Sequence, residues 1–396
     1  MPNSPAFDDL GLKPELLSNL AAIGYEQMTL VQARTLPKLL AGEDVLARAR
    51  TGSGKTAAFG LALLNRLDAT SYRVQALVLC PTRELADQVT NEDRMLDMGF
   101  AEQLDEILAY VPARRQTLLF SATYPEAISD ISARVQRNPA IVDVTDDEAP
   151  AQIAQYWCPV TRANRLAELA AALQAWGGAL NLVFCNTKVD CAEVATYLQS
   201  QRIVAVALHG DLEQPERTLV LARFANRSAS VLVATDVAAR GLDVDDVDTV
   251  INYELPKQSS VYVHRIGRTG RAGKTGIAVS LVEDREEWRL QGIAEDIPGA
   301  SLQERQIPDP ERSSPLLAPA MTTLQVSGGR KNKLRPGDLL GALTAAGGVP
   351  GDAVGSIDLF DTYSFVAVRN AEAKKALQQL ASRPIKGRQY RVRMRK

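Results

Sequence analysis

Val45-Leu46-Ala47-Arg48-Ala49-Arg50-Thr51-Gly52-Ser53-Gly54-Lys55-Thr56 decides the fold class of this chain. Asp44–Ala49 is a short strand-like run, and Ala57 opens a helical pattern immediately after Thr56. A strand, a Gly-Ser-Gly turn and a Lys-Thr pair entering a helix make a phosphate cradle. Glycine lets backbone N–H groups wrap phosphate oxygens, and the helix N-terminus adds a favourable dipole. Lys55 is placed to reach the β and γ phosphates, and the Thr56 hydroxyl to bind Mg²⁺. The general loop pattern has glycine where Ala49 stands, so the match is to a subset of such loops.

Outward from this loop, short apolar runs alternate with longer amphipathic stretches. Ala76–Cys80, Thr117–Phe120, Leu182–Cys185, Val231–Ala234 and Thr249–Asn252 read as strands buried on both faces of a parallel sheet. Two seams divide the chain: acidic Thr145–Ala151, and Gln291–Pro319, which carries five prolines among polar residues. The segment after them reads differently. Strand patterns at Thr322–Val326, Ser356–Leu359, Tyr363–Val368 and Tyr390–Met394 alternate with helices at Gly337–Ala345 and Ala371–Ala381. That βαββαβ order is the ferredoxin-like arrangement that RNA-recognition modules share.

Composition narrows the function classes. With 396 residues, 46% hydrophobic and 23% charged, the chain suits two or three soluble domains. No run nears the ~20 apolar residues of a spanning helix. The start MPNSPAFDDL lacks a signal-peptide pattern, and a reducing cytoplasm is the expected setting. Four cysteines without a CxxC pair and two histidines exclude a zinc ribbon or a disulfide framework. Charge is divided unevenly: Met321–Lys396 holds 14 basic and 5 acidic residues, leaving 31 basic and 42 acidic in the rest. A basic segment patterned with apolar strands points to a polyanion such as nucleic acid. In Arg391–Lys396 basic residues alternate with Val392 and Met394, as on an edge strand with one basic face.

A phosphate cradle alone does not hydrolyse a nucleotide. A second apolar strand should end in an acid that holds Mg²⁺ and orients water. Between Lys55 and Ser121 the one strand-like run, Ala76–Cys80, ends in Pro81-Thr82. Glu92 and Asp93 are the nearest acids, about 15 Å along a helix from its first turn at 1.5 Å per residue. A helix returning from a parallel strand carries them away from the phosphate edge.

With these residues in hand, the chain resembles the DEAD-box RNA helicases, and its C-terminal segment resembles the DbpA subgroup. The resemblance covers nearly the whole chain. Gly24-Tyr25 through Gln32 resembles the Q motif, which implies that Gln32 reads the adenine edge and Tyr25 packs on the base, with Phe7 as the upstream aromatic. Ala49–Thr56, including Gly52, Ser53 and Gly54, resembles motif I. Pro81–Ala86 resembles motif Ia, implying RNA backbone contact by Thr82 and Arg83, and Ser121–Thr123 resembles motif III. Leu182–Lys188 and His209–Asp211 match further family segments. Thr235–Asp243 resembles motif V, implying RNA contacts by Thr235, Arg240 and Gly241 and ribose contact by Asp243. His264–Arg271 resembles motif VI, which implies that Arg268 and Arg271 are arginine fingers at the γ-phosphate. In the last segment Tyr363 and Phe365 occupy the place of base-stacking aromatics.

The resemblance implies two RecA-like α/β P-loop domains, the first truncated, over residues 1–148 and 149–290. A linker, 291–320, and a small α+β RRM-like domain, 321–396, complete the expected organisation. It implies ATP and Mg²⁺ as cofactors, RNA as partner, specifically large-subunit ribosomal RNA during ribosome assembly, no membrane, and a monomer. One element departs. The four places of the Asp-Glu-Ala-Asp element before Arg94–Phe100 hold Thr90-Asn91-Glu92-Asp93. The double-glycine and Thr-Pro-Gly-Arg elements expected after Val89 are also absent, as an internal deletion of several tens of residues would produce. Two expectations follow: a rearranged or unstable first domain, because removing strands leaves apolar edges unpartnered, and weakened hydrolysis, because the acids are gone. Three readings stand at this stage: a DbpA-type helicase with impaired turnover, a non-enzymatic ribosomal-RNA-binding protein or decaying remnant, and an abridged version of a longer gene product.

Overall fold

The computed structural model describes residues 5–49, 53–80, 107–121, 126–144, 152–239, 247–270, 275–297, 302–308 and 317–395. The chain divides into two compact units. One holds residues 1–150 with 241–243; the other holds the remainder.

In the first unit, α1 (Pro14–Ala22) and α2 (Leu30–Ala41) precede strand β1 (Val45–Arg48), and α3 (Lys55–Arg66) follows it. β2 (Leu118–Ser121), α4 (Glu126–Val135) and β3 (Ala140–Asp143) complete the described elements. The sheet has three parallel strands in the order β2-β1-β3. Leu36, Leu39, Val45, Ala47, Ala58, Leu61 and Val142 form its core. Asp44 anchors the base of the sheet. Its two carboxylate oxygens accept from Thr117 N and Arg137 N, both at 2.7 Å, fixing the entries of the two outer strands beside β1.

The strand expected at Ala76–Cys80 does not form. These residues join no sheet, and Leu77 and Val78 are 54% and 43% exposed. A strand in a parallel sheet needs a neighbour on its hydrogen-bonding edge. Among the described residues none lies beyond β2 to receive it.

The second unit begins with β4 (Gln152–Pro159), α5 (Arg165–Trp176), β5 (Asn181–Cys185), α6 (Lys188–Ser200) and β6 (Ala205–Leu208). It continues through α7 (Gln214–Ala225), β7 (Val231–Thr235), α8 (Asp236–Ala239), β8 (Thr249–Asn252) and α9 (Ser259–Ile266). β9 (Thr275–Val282), α10 (Glu287–Asp296) and β10 (Leu302–Glu304) close it. All seven strands are parallel, in the order β10-β4-β9-β8-β5-β7-β6. β5 and β8 are buried at every position, as their unbroken apolar runs predict. The stretch expected as a plain linker from residue 291 is more ordered than its prolines suggest. α10 runs to Asp296, and β10 pairs with Gln155–Trp157, satisfying the outer edge of β4.

Behind this sheet the Arg165 guanidinium, 4% exposed, pairs with Glu283 at 2.8 Å and Glu286 at 2.6 Å and lies over the Tyr253 ring. Arg165→Ala leaves two buried carboxylates without their main partner, although Arg285 and Arg289 still reach them. The expected cost is about 3 kcal/mol. Denaturant unfolding followed by circular dichroism measures it; a loss under about 1 kcal/mol contradicts the assignment. Desolvation holds the Cys158 and Cys191 thiols at about 12 and about 11, so both are inert core residues.

The C-terminal module contains β11 (Met321–Val326), α11 (Pro336–Thr344), β12 (Val354–Leu359), β13 (Ser364–Arg369), α12 (Ala373–Ser382) and β14 (Val392–Arg395). Its antiparallel sheet has the order β12-β13-β11-β14, the ferredoxin-like topology the pattern predicts. Leu324, Val326, Val366 and Val368 form a core with Leu339, Leu343 and Leu380 of the two helices. Among the described residues no helix is long and apolar enough to cross a membrane.

Candidate nucleotide and RNA site

The phosphate loop leaves β1 beside β2, with Ala49 N donating to Ser121 O at 3.1 Å. Gly54 caps α3 with φ +91°, a conformation that glycine adopts without strain. A Cβ at Gly54 would also lie 2.5 Å from Gln32 Nε2. Lys55 is buried and its Nζ donates to Ala49 O at 2.8 Å, folding the side chain over its own loop. The Ser53 and Thr56 hydroxyls are buried without any hydrogen-bond partner. Two orphaned hydroxyls flanking a buried lysine at a helix N-terminus suit phosphate oxygens and a divalent cation, so these residues fit a Mg²⁺-nucleotide.

Gln32 is fully buried and doubly engaged. Its Oε1 accepts from Thr29 N at 2.8 Å, and its Nε2 donates to Gly54 O at 3.2 Å. The first bond belongs to the capping box that starts α2, so Gln32 links that helix to the phosphate loop. Tyr25 is 42% exposed, whereas Phe7 is packed in the core. Gly52, Thr82, Arg83, Arg240, Gly241, Asp243 and Arg271 lie outside the described residues, as do Thr90, Asn91, Glu92 and Asp93. Among the described residues no group of His, Cys, Asp or Glu is placed to hold a metal ion.

In the second unit the most heavily bonded side chain is one the sequence reading did not single out. Arg265, 1% exposed, donates from all its guanidinium nitrogens. Nε and Nη2 grip the two oxygens of Asp236 at 2.7 and 2.8 Å. Nη2 also reaches Asn186 Oδ1 at 2.8 Å, and Nη1 reaches Glu254 O at 2.7 Å and Asn252 Oδ1 at 3.2 Å. The plane lies over the Phe184 ring. Arg265 therefore holds together the ends of β5, β7 and β8 and α9, the helix that carries His264 and ends at Ile266. Thr235 sits at the tip of β7, directly before Asp236, and Arg268 is buried one turn beyond Arg265. An arginine set between Tyr262 and Ile266, both buried on α9, was the available signal, but its partners lie 11 to 79 residues away.

The stacking role that the sequence suggests for Phe365 does not match its surroundings, whereas Tyr363 is half-buried. Phe365 is 1% exposed, and Phe360, Tyr363 and Phe365 form a ring cluster with centroids 4.8 to 5.5 Å apart. Burial raises the pKa of the Tyr363 hydroxyl. A base has no access to the Phe365 face in this arrangement. Exposed basic residues gather elsewhere on the module: Arg330, Lys331, Lys333 and Arg335 on one loop, and Lys386 and Arg388 on another. Lys386 Nζ ties the two loops by donating to Lys333 O at 2.8 Å and pairing with Asp338 at 2.7 Å.

Three family models match the chain: DEAD/DEAH box helicase over residues 29–92 and 91–131, Helicase conserved C-terminal domain over 164–273, and DbpA RNA binding domain over 323–394. The chain is 42% identical over 455 aligned positions to the ATP-dependent RNA helicase DbpA of Escherichia coli (strain K12), covering 98% of this chain and 99% of that protein. It is 37% identical over 352 positions to the DEAD-box ATP-dependent RNA helicase CshA of Geobacillus kaustophilus, covering 72% and 75%. Among solved structures, S. cerevisiae Dbp5 bound to RNA and ADP BeF3 superposes with a TM-score of 0.68 at 26% identity, over 76% of this chain and 96% of that one.

Proposed function

Since the chain belongs to the DEAD-box RNA helicases of DbpA type, we propose that it binds Mg²⁺-ATP and ribosomal RNA but turns ATP over slowly or not at all. The observation that carries this reading is an equipped phosphate cradle in a chain that lacks the acid element. Buried Ser53 and Thr56 hydroxyls and buried Lys55 stand ready for phosphate and metal, while Thr90 and Asn91 occupy the places of the two acids. Two further observations support an internal deletion, and the first of them carries its position. The DEAD/DEAH model matches in two stretches that meet at residues 91–92. The alignment with DbpA of E. coli spans 455 positions against 396 residues here, so several tens of positions have no counterpart.

Bound nucleotide would be held by Lys55 at the phosphates, by the Thr56 hydroxyl toward Mg²⁺ and by Tyr25 on the base. Mg²⁺ neutralises phosphate charge when bound. Thr90 and Asn91 have neutral side chains: neither neutralises the cation's charge nor draws a proton from the attacking water, and the hydrolytic step is slowed on both counts. On RNA, the basic loops Arg330–Arg335 and Lys386–Arg388 supply phosphate contacts for a stem-loop of the large-subunit ribosomal RNA. A monomer in the cytoplasm, acting in large-subunit assembly, completes the reading.

Lys55→Ala removes the buried cation from the cradle. Affinity for a fluorescent ATP analogue should fall at least about tenfold, the loss of one charge-assisted bond. Equal affinity for the two proteins in a fluorescence titration would overturn nucleotide binding at this loop.

A further inference from the structure

Val392 and Met394 of edge strand β14 pack into the module's core beneath α11 and α12. Arg391, Arg393 and Arg395 therefore alternate onto the opposite face, about 7 Å apart along the strand. The first two are exposed. Arg395 is half-buried, with Nε donating to Gln325 Oε1 at 2.7 Å. The row starts beside the basic loops: Ser327 N donates to Arg391 O at 2.9 Å, and Ser327 leads into the loop that carries Arg330–Arg335.

At its other end the row meets two turns of the second helicase domain. Arg395 stands opposite Thr323 in register, and the Thr323 and Ser228 hydroxyls share a bond of 2.6 Å. Met321 N donates to Arg227 O at 3.3 Å, so the turn after α7 continues the line. Ser230 N donates to Val204 O at 3.0 Å, which sets the turn after α6, with Arg202, alongside. Arg202 and Arg227 are both exposed, and each follows a helix cap in the left-handed conformation, at φ +64° and +61°. Glycine is usual at that position because it takes positive φ without strain. Two adjacent turns accept the strain instead, and each keeps a cation.

Charge sets this row apart from the rest of the module. Lys331, Arg369 and Lys386 pair with Asp361, Asp352 and Asp338 at 3.1, 3.1 and 2.7 Å. Among the described residues no carboxylate pairs with Arg202, Arg227, Arg391, Arg393 or Arg395. Arginines on an edge strand can serve to repel another strand. That need does not extend to helix-terminal turns on a different domain. An uncompensated line of cations fits a polyanion whose charges recur regularly, as backbone phosphates do. The two turns lie where β6 and β7 start, whereas Thr235 stands at the finish of β7.

We propose that Arg391, Arg393, Arg395, Arg227 and Arg202 form a phosphate track for the RNA that flanks the stem-loop, leading it away from the strand ends that carry Thr235. The track rests on the reading above that the basic loops hold that stem-loop.

The test uses the full chain and fluorescence anisotropy over a salt series with three RNAs. These are a large-subunit ribosomal RNA stem-loop, the same stem-loop with a short uridine flank on each side, and the uridine oligonucleotide alone. The flanked RNA should bind at least about fivefold more tightly than the bare stem-loop at low salt. Arg202→Gly with Arg227→Gly, which relieves both strained turns, should remove most of that excess. It should also lower the slope of log affinity on log salt for the flanked RNA by about 1.4, the equivalent of two single-strand phosphate contacts. Bare stem-loop affinity should change by no more than about twofold. Arg393→Gln, within the module, should lower the slope by about 0.7. Equal affinity of the parent chain for flanked and bare RNA, or an unchanged slope in both variants, would overturn the track. A bare stem-loop that fails to bind would count against the reading of the basic loops. The salt slopes on the uridine oligonucleotide, parent against the double variant, then decide the track: a lower slope in the variant supports it and an equal slope overturns it.

Discussion

On the proposed reading, inserting between Val89 and Glu92 the stretch of E. coli DbpA that has no counterpart in this chain should raise ATP turnover about 100-fold or more. The size follows from what one electrostatic contribution is worth at a phosphoryl-transfer site, where removing a single preorganised group costs roughly 10²–10³ in rate. Here two groups are absent together, the one that fixes the metal and the one that orients water. The segment must come back as a piece because the acids act from the end of a strand. Writing Thr90→Asp and Asn91→Glu into the present chain should leave turnover at its starting level. Among the described residues the sheet has three strands and none beyond β2 to carry the acids to the phosphate edge. The same insertion should give Ala76–Cys80 the neighbour it lacks and bury Leu77 and Val78, which hydrogen exchange at those amides would register as new protection. Turnover that rises with the two substitutions alone would show that position on a strand is not what matters.

Arg265→Lys should be the most damaging conservative change in the second domain. Lysine keeps the charge but offers three donors on one nitrogen, and it cannot span Asp236, Asn186, Asn252 and Glu254 O at once. At least two buried acceptors and half of the bidentate carboxylate pair lose their donor. The expected cost is about 3 kcal/mol, and the thermal midpoint should drop by roughly 6–12 °C for a domain of this size. Because Asp236 follows Thr235, to which the family resemblance gives an RNA contact, RNA affinity should fall as well, even though Arg265 is itself buried. Scanning calorimetry and an RNA titration read the two effects separately. A midpoint within about 2 °C of the parent would show that the network is redundant.

The parallel sheet of the second domain was legible because Leu182–Cys185, Val231–Ala234 and Thr249–Asn252 are unbroken apolar runs, the pattern of strands covered on both faces. The module was legible because its strands alternate and its helices show 3.6-residue spacing. Three features were not. Ala76–Cys80 has the composition of a strand, but a strand exists only beside another, and composition does not report a neighbour's absence. β10 is hidden in a proline-rich stretch because Leu302–Glu304 is ordered by the open edge of β4, about 150 residues earlier. Tyr363 and Phe365 invited an RNA reading because aromatic rings on a sheet face ordinarily meet solvent or ligand. Phe365 is instead closed off by the rings of Phe360 and Tyr363, at 5.5 and 5.2 Å, and composition does not report that packing. The phosphate loop, by contrast, is local: all its parts lie within twelve consecutive residues, and the orphaned Ser53 and Thr56 hydroxyls stand where the motif puts them.

The central claim is a nucleotide cradle that binds without turning over. Its most direct test is steady-state ATP hydrolysis by the purified chain, with and without ribosomal RNA, beside Lys55→Ala, on protein shown to bind nucleotide. The account predicts a rate at the Lys55→Ala background in both conditions. RNA-stimulated hydrolysis that disappears in Lys55→Ala would contradict it, and would mean that an acid of this chain, Glu92 or Asp93 first among them, does reach the metal.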